Sequence, residues 1–118
     1  MKNIATKEEF DLELKSGEKK FILFYSSYCP FCLMFLPNFK KIAAQFPETF
    51  TEASIDSLPE LEDTFAVEVV PTVLFFKNGK LSNRLDGILG RGLTEENLSA
   101  FVKSCAAPGK AIPPNENP

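Results

Sequence analysis

The chain has 118 residues, of which 44% are apolar, and a formal net charge of −3. This length fits one compact domain that buries roughly two-thirds of its extended surface, so stability requires no framework of disulfides. The acidic balance argues against nucleic-acid binding, which depends on a basic surface. The lack of histidine excludes Ser-His-Asp hydrolysis, Cys-His proteolysis and histidine-ligated metal sites.

The chain contains no apolar run of the roughly 20 residues that a membrane helix requires. Residues 1–9 also lack the apolar core of a signal peptide. Taken as written, the protein is predicted to be a cytoplasmic monomer that binds neither nucleic acid nor membranes. Cytoplasmic thiols are mostly kept reduced, so a cysteine pair there is catalytic or metal-binding more often than structural.

Apolar periodicity, helix caps and turn residues predict eight elements in the order α-β-α-β-α-β-β-α. In chain order these are residues 6–16, 21–25, 30–46, 49–55, 56–65, 72–76, 81–85 and 94–104. Thr6 is a candidate N-cap of the first helix, and Pro30 stands in the first turn of the second. Asn78-Gly79 predicts a two-residue hairpin turn between the last two strands.

This order predicts an α/β fold. Strand–helix–strand units followed by a hairpin form a central mixed β-sheet, here of about four strands, flanked by helices on both faces. Residues 1–107 are assigned to this single domain. Residues 108–118 are rich in proline and polar residues, so they are predicted to form a disordered C-terminal tail.

Cys29 and Cys32 stand between a buried strand and a long helix, at the predicted helix start. Two intervening residues on the first helical turn bring both sulfurs within bonding range. The free N–H groups and the positive dipole end of a helix start stabilise a thiolate. Cys29 is therefore predicted to be the exposed nucleophile, and Cys32, one turn inside, the more buried resolving thiol.

Two other interpretations of this pair are open. A zinc site needs two more ligands, and only Cys105 and carboxylates are available, so no metal is predicted. In the second interpretation, the two cysteines have a structural role only and the protein has no redox activity. Cys105, near the end of the last predicted helix, is interpreted as a lone structural thiol, with a regulatory disulfide or a dimer link as the alternative.

Over residues 18–104 the chain resembles the thioredoxin family. The resemblance rests on Tyr28-Cys29-Pro30-Phe31-Cys32, Pro37, Val70-Pro71-Thr72, the strand that ends in Lys77-Asn78-Gly79-Lys80, and Gly87. It implies a thioredoxin-like fold and a thiol–disulfide oxidoreductase that needs no cofactor. Its partners would be protein disulfide substrates and a reductase or other electron donor.

The resemblance also implies a place for the substrate. Pro71 would follow a cis peptide bond and face the cysteine pair, since proline is almost the only residue that tolerates such a bond. The backbone of Val70 would then be free to pair with an extended substrate segment. Tyr28, Pro30 and Phe31, beside the exposed thiol, complete the predicted substrate-positioning set.

The chain departs from the thioredoxin pattern at three points. Pro30-Phe31 is closer to the glutaredoxin dipeptide, so a glutaredoxin-like, glutathione-dependent reductase is one alternative, and a non-catalytic binding module with the same fold is another. Leu23 stands where thioredoxins carry a buried acid, and Glu52 stands in place of the lysine that neighbours it. Glu52 either substitutes for that acid or is a solvated charge at a strand end.

Overall fold

A computed structural model describes residues 2–106. In chain order these residues form β1 (Lys2–Ile4), α1 (Lys7–Lys15), β2 (Lys19–Tyr25), α2 (Pro30–Ala43), β3 (Phe50–Ser54), α3 (Pro59–Thr64), β4 (Thr72–Lys77), β5 (Lys80–Leu85) and α4 (Glu95–Ala106). The predicted order is confirmed, with β1 added in front. The predicted tail, residues 108–118, lies outside the described residues.

The strands form one mixed sheet in the order β1-β3-β2-β4-β5. β3 pairs in parallel with both β1 and β2, whereas β4 runs antiparallel to β2 and to β5. The α/β class, the mixed sheet and the helices on both faces are therefore confirmed, and β1 makes a fifth strand. No helix within residues 2–106 is long and apolar enough to cross a membrane.

Burial on both sheet faces explains the continuous apolar run of β2. Phe21 and Leu23 point into the core that α2 and α4 cover, and Ile22 and Phe24 point into the core under α1 and α3. Side chains alternate along a strand, so a strand covered on both faces is apolar at every position. β2 is the central strand that separates the two cores.

The helix starts differ in how they are capped. Thr6 and Glu9 form a reciprocal capping box at α1, and Thr94 and Asn97 exchange the same pair of hydrogen bonds at α4. The sequence predicts that the segment from Asp56 to Pro59 caps the third helix. This prediction is wrong, because α3 begins only at Pro59 and its N-cap, Leu58, makes no side-chain cap hydrogen bond. α2 ends at Ala43, three residues before the predicted end.

The hairpin between β4 and β5 has the predicted two-residue turn. Asn78 and Gly79 both have positive φ, 54° and 82°. Two consecutive residues with positive φ match the right-handed twist of the paired strands, and asparagine and glycine tolerate that conformation best. The turn fixes the register of β5 against β4, where Lys77 pairs with Lys80.

Candidate active site

Both cysteines of the pair lie at the start of α2, but their environments differ. Cys29 is the N-cap residue, with an extended backbone (φ −100°, ψ 116°) and a half-buried side chain. Pro30 is the first residue of the helix, where its missing N–H leaves no bond unmade. Cys32, one turn in, is only 1% exposed. The Cys29 thiol is close enough to Cys32 to raise its pKa.

The buried thiol of Cys32 has a weak polar partner. The backbone N–H of Ser26 donates to Cys32 Sγ at 3.5 Å. Burial raises the pKa of Cys32 to about 12, and the hydrogen bond from Ser26 opposes that rise. Cys32 is therefore protonated at neutral pH and has to lose a proton before it can act as a nucleophile.

The segment before β4 faces Cys29. The Val70–Pro71 peptide bond is cis, as predicted, and the Cys29 thiol donates to the Val70 carbonyl oxygen at 3.6 Å. Gly87 closes against this segment: a Cβ at that position would lie 2.3 Å from the Pro71 carbonyl oxygen. A residue larger than glycine would therefore displace Pro71 from the cysteine pair.

The other predicted substrate-positioning residues lie around the pair. Tyr28 is 86% exposed, Pro30 is exposed and Phe31 is half-buried. Gly92 packs on Phe31, since a Cβ at that glycine would lie 2.9 Å from the Phe31 Cβ. Further exposed large apolar side chains follow on α2 and in the loop before α4, namely Leu33, Met34, Ile88 and Leu89.

Comparison with known proteins identifies the family. The thioredoxin family model matches residues 2–104. The chain belongs to the thioredoxin family. It is 29% identical over 99 residues to the thioredoxin of Mycoplasmoides gallisepticum, a match that covers 83% of this chain and 99% of that protein.

Other matches agree with this membership. The solved structure of Plasmodium falciparum thioredoxin is similar with a TM-score of 0.80 at 20% identity, covering 90% of this chain and all of that one. A probable protein disulfide-isomerase A4 of Caenorhabditis elegans is 29% identical over 115 residues, and the chain spans 18% of its length. The thioredoxin-like fold and the prediction of a thiol–disulfide oxidoreductase are confirmed.

Glu52 is buried, so the interpretation of this residue as a solvated charge at a strand end is wrong. It is 7% exposed, and it pairs in register with the buried Leu23. Its Oε1 accepts a hydrogen bond from Asn3 at 2.8 Å, and the same amide donates to the Tyr25 hydroxyl at 2.7 Å. Among the described residues its buried Oε2 has no hydrogen-bond partner.

Cys105 lies on α4, within the core between α2 and α4. Burial raises the pKa of this thiol to about 12, so it is unreactive at neutral pH. Within residues 2–106 no three cysteine, aspartate or glutamate side chains are grouped so as to hold a metal ion. The interpretation of Cys105 as a structural thiol is in keeping with its packing.

Two features of the site went unrecognised in the sequence. One is a tight turn before α4, in which Ile88 and Gly92 exchange backbone hydrogen bonds of 3.1 and 2.8 Å and present Gly92 to Phe31. Its sequence signal is the pair of glycines around Arg91. The other is Asp56, which accepts hydrogen bonds from Ser26 and Ser27, 30 and 29 residues earlier. No local pattern indicates that contact.

Proposed function

We propose that this enzyme exchanges protein disulfides with Cys29 as the nucleophile and Cys32 as the resolving thiol. The observation that carries the proposal is the contrast between a half-buried thiol at the N-cap of α2 and a 1% exposed thiol in the first turn of the same helix. A substrate disulfide gains access to Cys29 first. Unpaired backbone N–H groups and the helix dipole at the start of α2 favour negative charge on that sulfur.

The reaction has two exchange steps. The Cys29 thiolate attacks one sulfur of the substrate disulfide, a mixed disulfide forms, and the other substrate sulfur leaves as a thiolate that takes up a proton from water. Cys32 then loses its proton and attacks Cys29 Sγ. The second substrate sulfur leaves and the Cys29–Cys32 disulfide forms, so two electrons pass to the substrate. A reductase or another dithiol donor returns them.

Substrate positioning is assigned to the groups that surround Cys29. The cis bond before Pro71 presents the Val70 carbonyl to the thiol, beside a backbone segment on which an extended peptide can pair as an added strand. Tyr28, Pro30 and Phe31 provide an apolar surface next to it. The proposed setting is the reducing cytoplasm, with the enzyme as a monomer.

Insulin reduction with dithiothreitol tests the proposal. The wild-type chain should reduce insulin well above the rate of dithiothreitol alone, and Cys29→Ser should fall to that background. Cys32→Ser should accumulate a mixed disulfide on Cys29, visible by mass spectrometry. Cys105→Ala serves as the control and should keep its activity. Activity that survives Cys29→Ser would contradict the assignment.

The same variants separate the glutaredoxin-like alternative, which the Pro30-Phe31 dipeptide favours. Glutathione mixed disulfides can be reduced by the first thiol alone, whereas protein disulfides need the second. We expect Cys32→Ser to lose insulin reduction. If Cys32→Ser instead reduces a glutathione mixed disulfide at the wild-type rate, the chain is a glutathione-dependent reductase.

A further inference from the structure

The loop between β2 and α2 is held by one carboxylate from another segment. Asp56, which follows β3, accepts hydrogen bonds from the Ser26 hydroxyl at 2.9 Å, and from the Ser27 N–H and hydroxyl at 3.1 and 2.8 Å. The backbone N–H of Ser27, together with these hydroxyls, holds the pKa of Asp56 below its ordinary value. Asp56 is therefore negatively charged at neutral pH.

This network reaches the buried thiol through Ser26. The hydroxyl of Ser26 is fixed by Asp56 and also accepts from the Tyr28 N–H at 3.2 Å, while its own backbone N–H donates to Cys32 Sγ. The neighbouring Cys29 thiol and the negative charge of Asp56 both raise the pKa of Cys32. Asp56 thus affects Cys32 in two opposite ways, by fixing a donor and by placing a negative charge nearby.

We propose that Asp56 is a positioning residue for the resolving step. Its hydrogen bonds keep the Ser26 N–H on Cys32 Sγ, which stabilises the thiolate. Its charge opposes ionisation of Cys32, which keeps the thiol protonated until a mixed disulfide has formed on Cys29. This proposal rests on the proposed roles of the two cysteines, and it gives them a regulating group outside the Cys-x-x-Cys motif.

An aromatic disulfide, 5,5′-dithiobis(2-nitrobenzoate), resolves the two steps in one stopped-flow trace. Attack by Cys29 breaks the reagent S–S bond and releases one thionitrobenzoate. Cys32 then loses its proton to water, attacks Cys29 Sγ and releases a second thionitrobenzoate. The experiment uses the Cys105→Ala background, so that only the two site thiols react. Absence of the first phase would overturn the proposed function, whereas the second phase tests Asp56.

Asp56→Asn removes the charge and can keep the network, because an amide fits the same place. Its oxygen can accept from Ser27 and its NH₂ can donate to the Ser26 hydroxyl. We expect the second phase at pH 7 to be about two- to fivefold faster than in wild type, with its pH profile moved to lower pH. High salt should reduce this difference, since Asp56 is exposed.

Asp56→Ala removes the charge and the network together. We expect its second phase to be about threefold to tenfold slower than that of Asp56→Asn, because the Cys32 thiolate loses the hydrogen bond from the Ser26 N–H. Asp63→Asn is the control: this exposed residue of α3 makes no side-chain hydrogen bond within residues 2–106, and its second phase should match wild type.

Two results would overturn the proposal. If Asp56→Asn matches Asp63→Asn in second-phase rate and pH profile, the charge does not act on Cys32. If Asp56→Ala matches Asp56→Asn, the loop contacts do not hold the Ser26 donor in place. Circular dichroism of each variant confirms that the compared proteins are folded, and Asp56→Asn, the isosteric variant, keeps the test available if Asp56→Ala is unstable.

Discussion

The two faces of the sheet treat buried polar groups differently. On the face under α1 and α3, the carboxylate of Glu13 is fully partnered: Thr51 donates to Oε2 at 2.7 Å, Lys20 lies 3.1 Å from the same oxygen, and Lys2 lies 3.2 Å from Oε1. On the face under α2 and α4, Glu52 has one hydrogen-bond partner among the described residues, the Asn3 amide, and Cys32 accepts a weak hydrogen bond from the Ser26 N–H at 3.5 Å.

This difference separates stability from reactivity. A buried charge that has all its partners is costly to disturb, because removal of one partner leaves the other charge buried alone. A buried thiol with a single weak partner remains available for a change of covalent state. The chain keeps its satisfied ionic cluster on one face and the reacting sulfur on the helix that covers the other.

The largest effect is expected at Glu13. Glu13→Gln leaves the buried ammonium of Lys20 without its counter-charge, so the free energy of unfolding should fall by about 3 kcal/mol in urea titrations. Activity per folded molecule should be unchanged. Glu8→Gln, on the exposed side of the same helix, should stay within about 0.5 kcal/mol of wild type. If Glu13→Gln and Glu8→Gln lose the same free energy of unfolding, the buried ion pairs of Glu13 do not stabilise this face of the sheet.

The same carboxylate makes stability depend on pH. Burial alone would raise the pKa of Glu13, but hydrogen bonds from Thr51, Lys20 and Lys2 hold it below the ordinary value of 4.5. The stabilisation is therefore present above that value and is lost as pH falls through the lower pKa of the folded state. The stability difference between wild type and Glu13→Gln should shrink as pH falls below 4.5, in urea titrations across pH.

A smaller effect is expected where the turn before α4 packs on Phe31. Gly92→Ala combines a positive φ of 73° with a Cβ 2.9 Å from the Phe31 Cβ, so it should lower the free energy of unfolding by about 2 kcal/mol and reduce insulin turnover. Gly90→Ala is the matched control. Its φ of 79° is similar, but no described atom lies within 4 Å of the added Cβ.

Gly90→Ala should therefore lose only about 1 kcal/mol, the cost of the backbone conformation, and keep its activity. The difference between these two glycine variants measures the contact with Phe31. If both lose the same stability and the same turnover, the turn does not hold Phe31 in place and the surface beside Cys29 is more adaptable than its packing indicates.

Local patterns were enough to predict the central elements and the sulfur chemistry. Three features can each be predicted from a few neighbouring residues: the apolar run of β2, the asparagine–glycine turn and the Cys29–Cys32 spacing. β1 was missed because it has three residues, and only Ile4 among them is buried. A strand this short leaves no periodic pattern; its existence depends on parallel pairing with β3.

The supporting contacts of the site were not predictable in the same way. Asp56 and Ser26 are 30 residues apart, and their contact depends on how two loops meet at one end of the sheet. Asp56 was predicted to help cap α3, an ordinary use of aspartate before a helix. The buried state of Glu52 was likewise undecidable, because it depends on Asn3 in a strand that the sequence did not reveal.

The smallest effect on stability is expected from the glutamate-to-glutamine substitution at Glu52, which compares directly with Glu13→Gln on the other face of the sheet. Its Oε2 has no partner among the described residues, so Glu52→Gln replaces a costly buried carboxyl group with a neutral amide and keeps the oxygen that binds Asn3. The free energy of unfolding should change by less than about 1 kcal/mol or rise slightly, where Glu13→Gln loses about 3 kcal/mol.

Glu52→Gln also tests whether this group replaces the acid that is absent at Leu23. Glu52 is hydrogen-bonded to Asn3, whereas Cys32 accepts a hydrogen bond from the Ser26 N–H and lies within range of the negative charge of Asp56. We therefore expect the Cys32 phase of the stopped-flow trace to keep its rate and pH profile. A tenfold slower Cys32 phase would assign proton transfer to Glu52. Oε2 of Glu52, which has no partner among the described residues, would then be the atom that accepts the proton of Cys32.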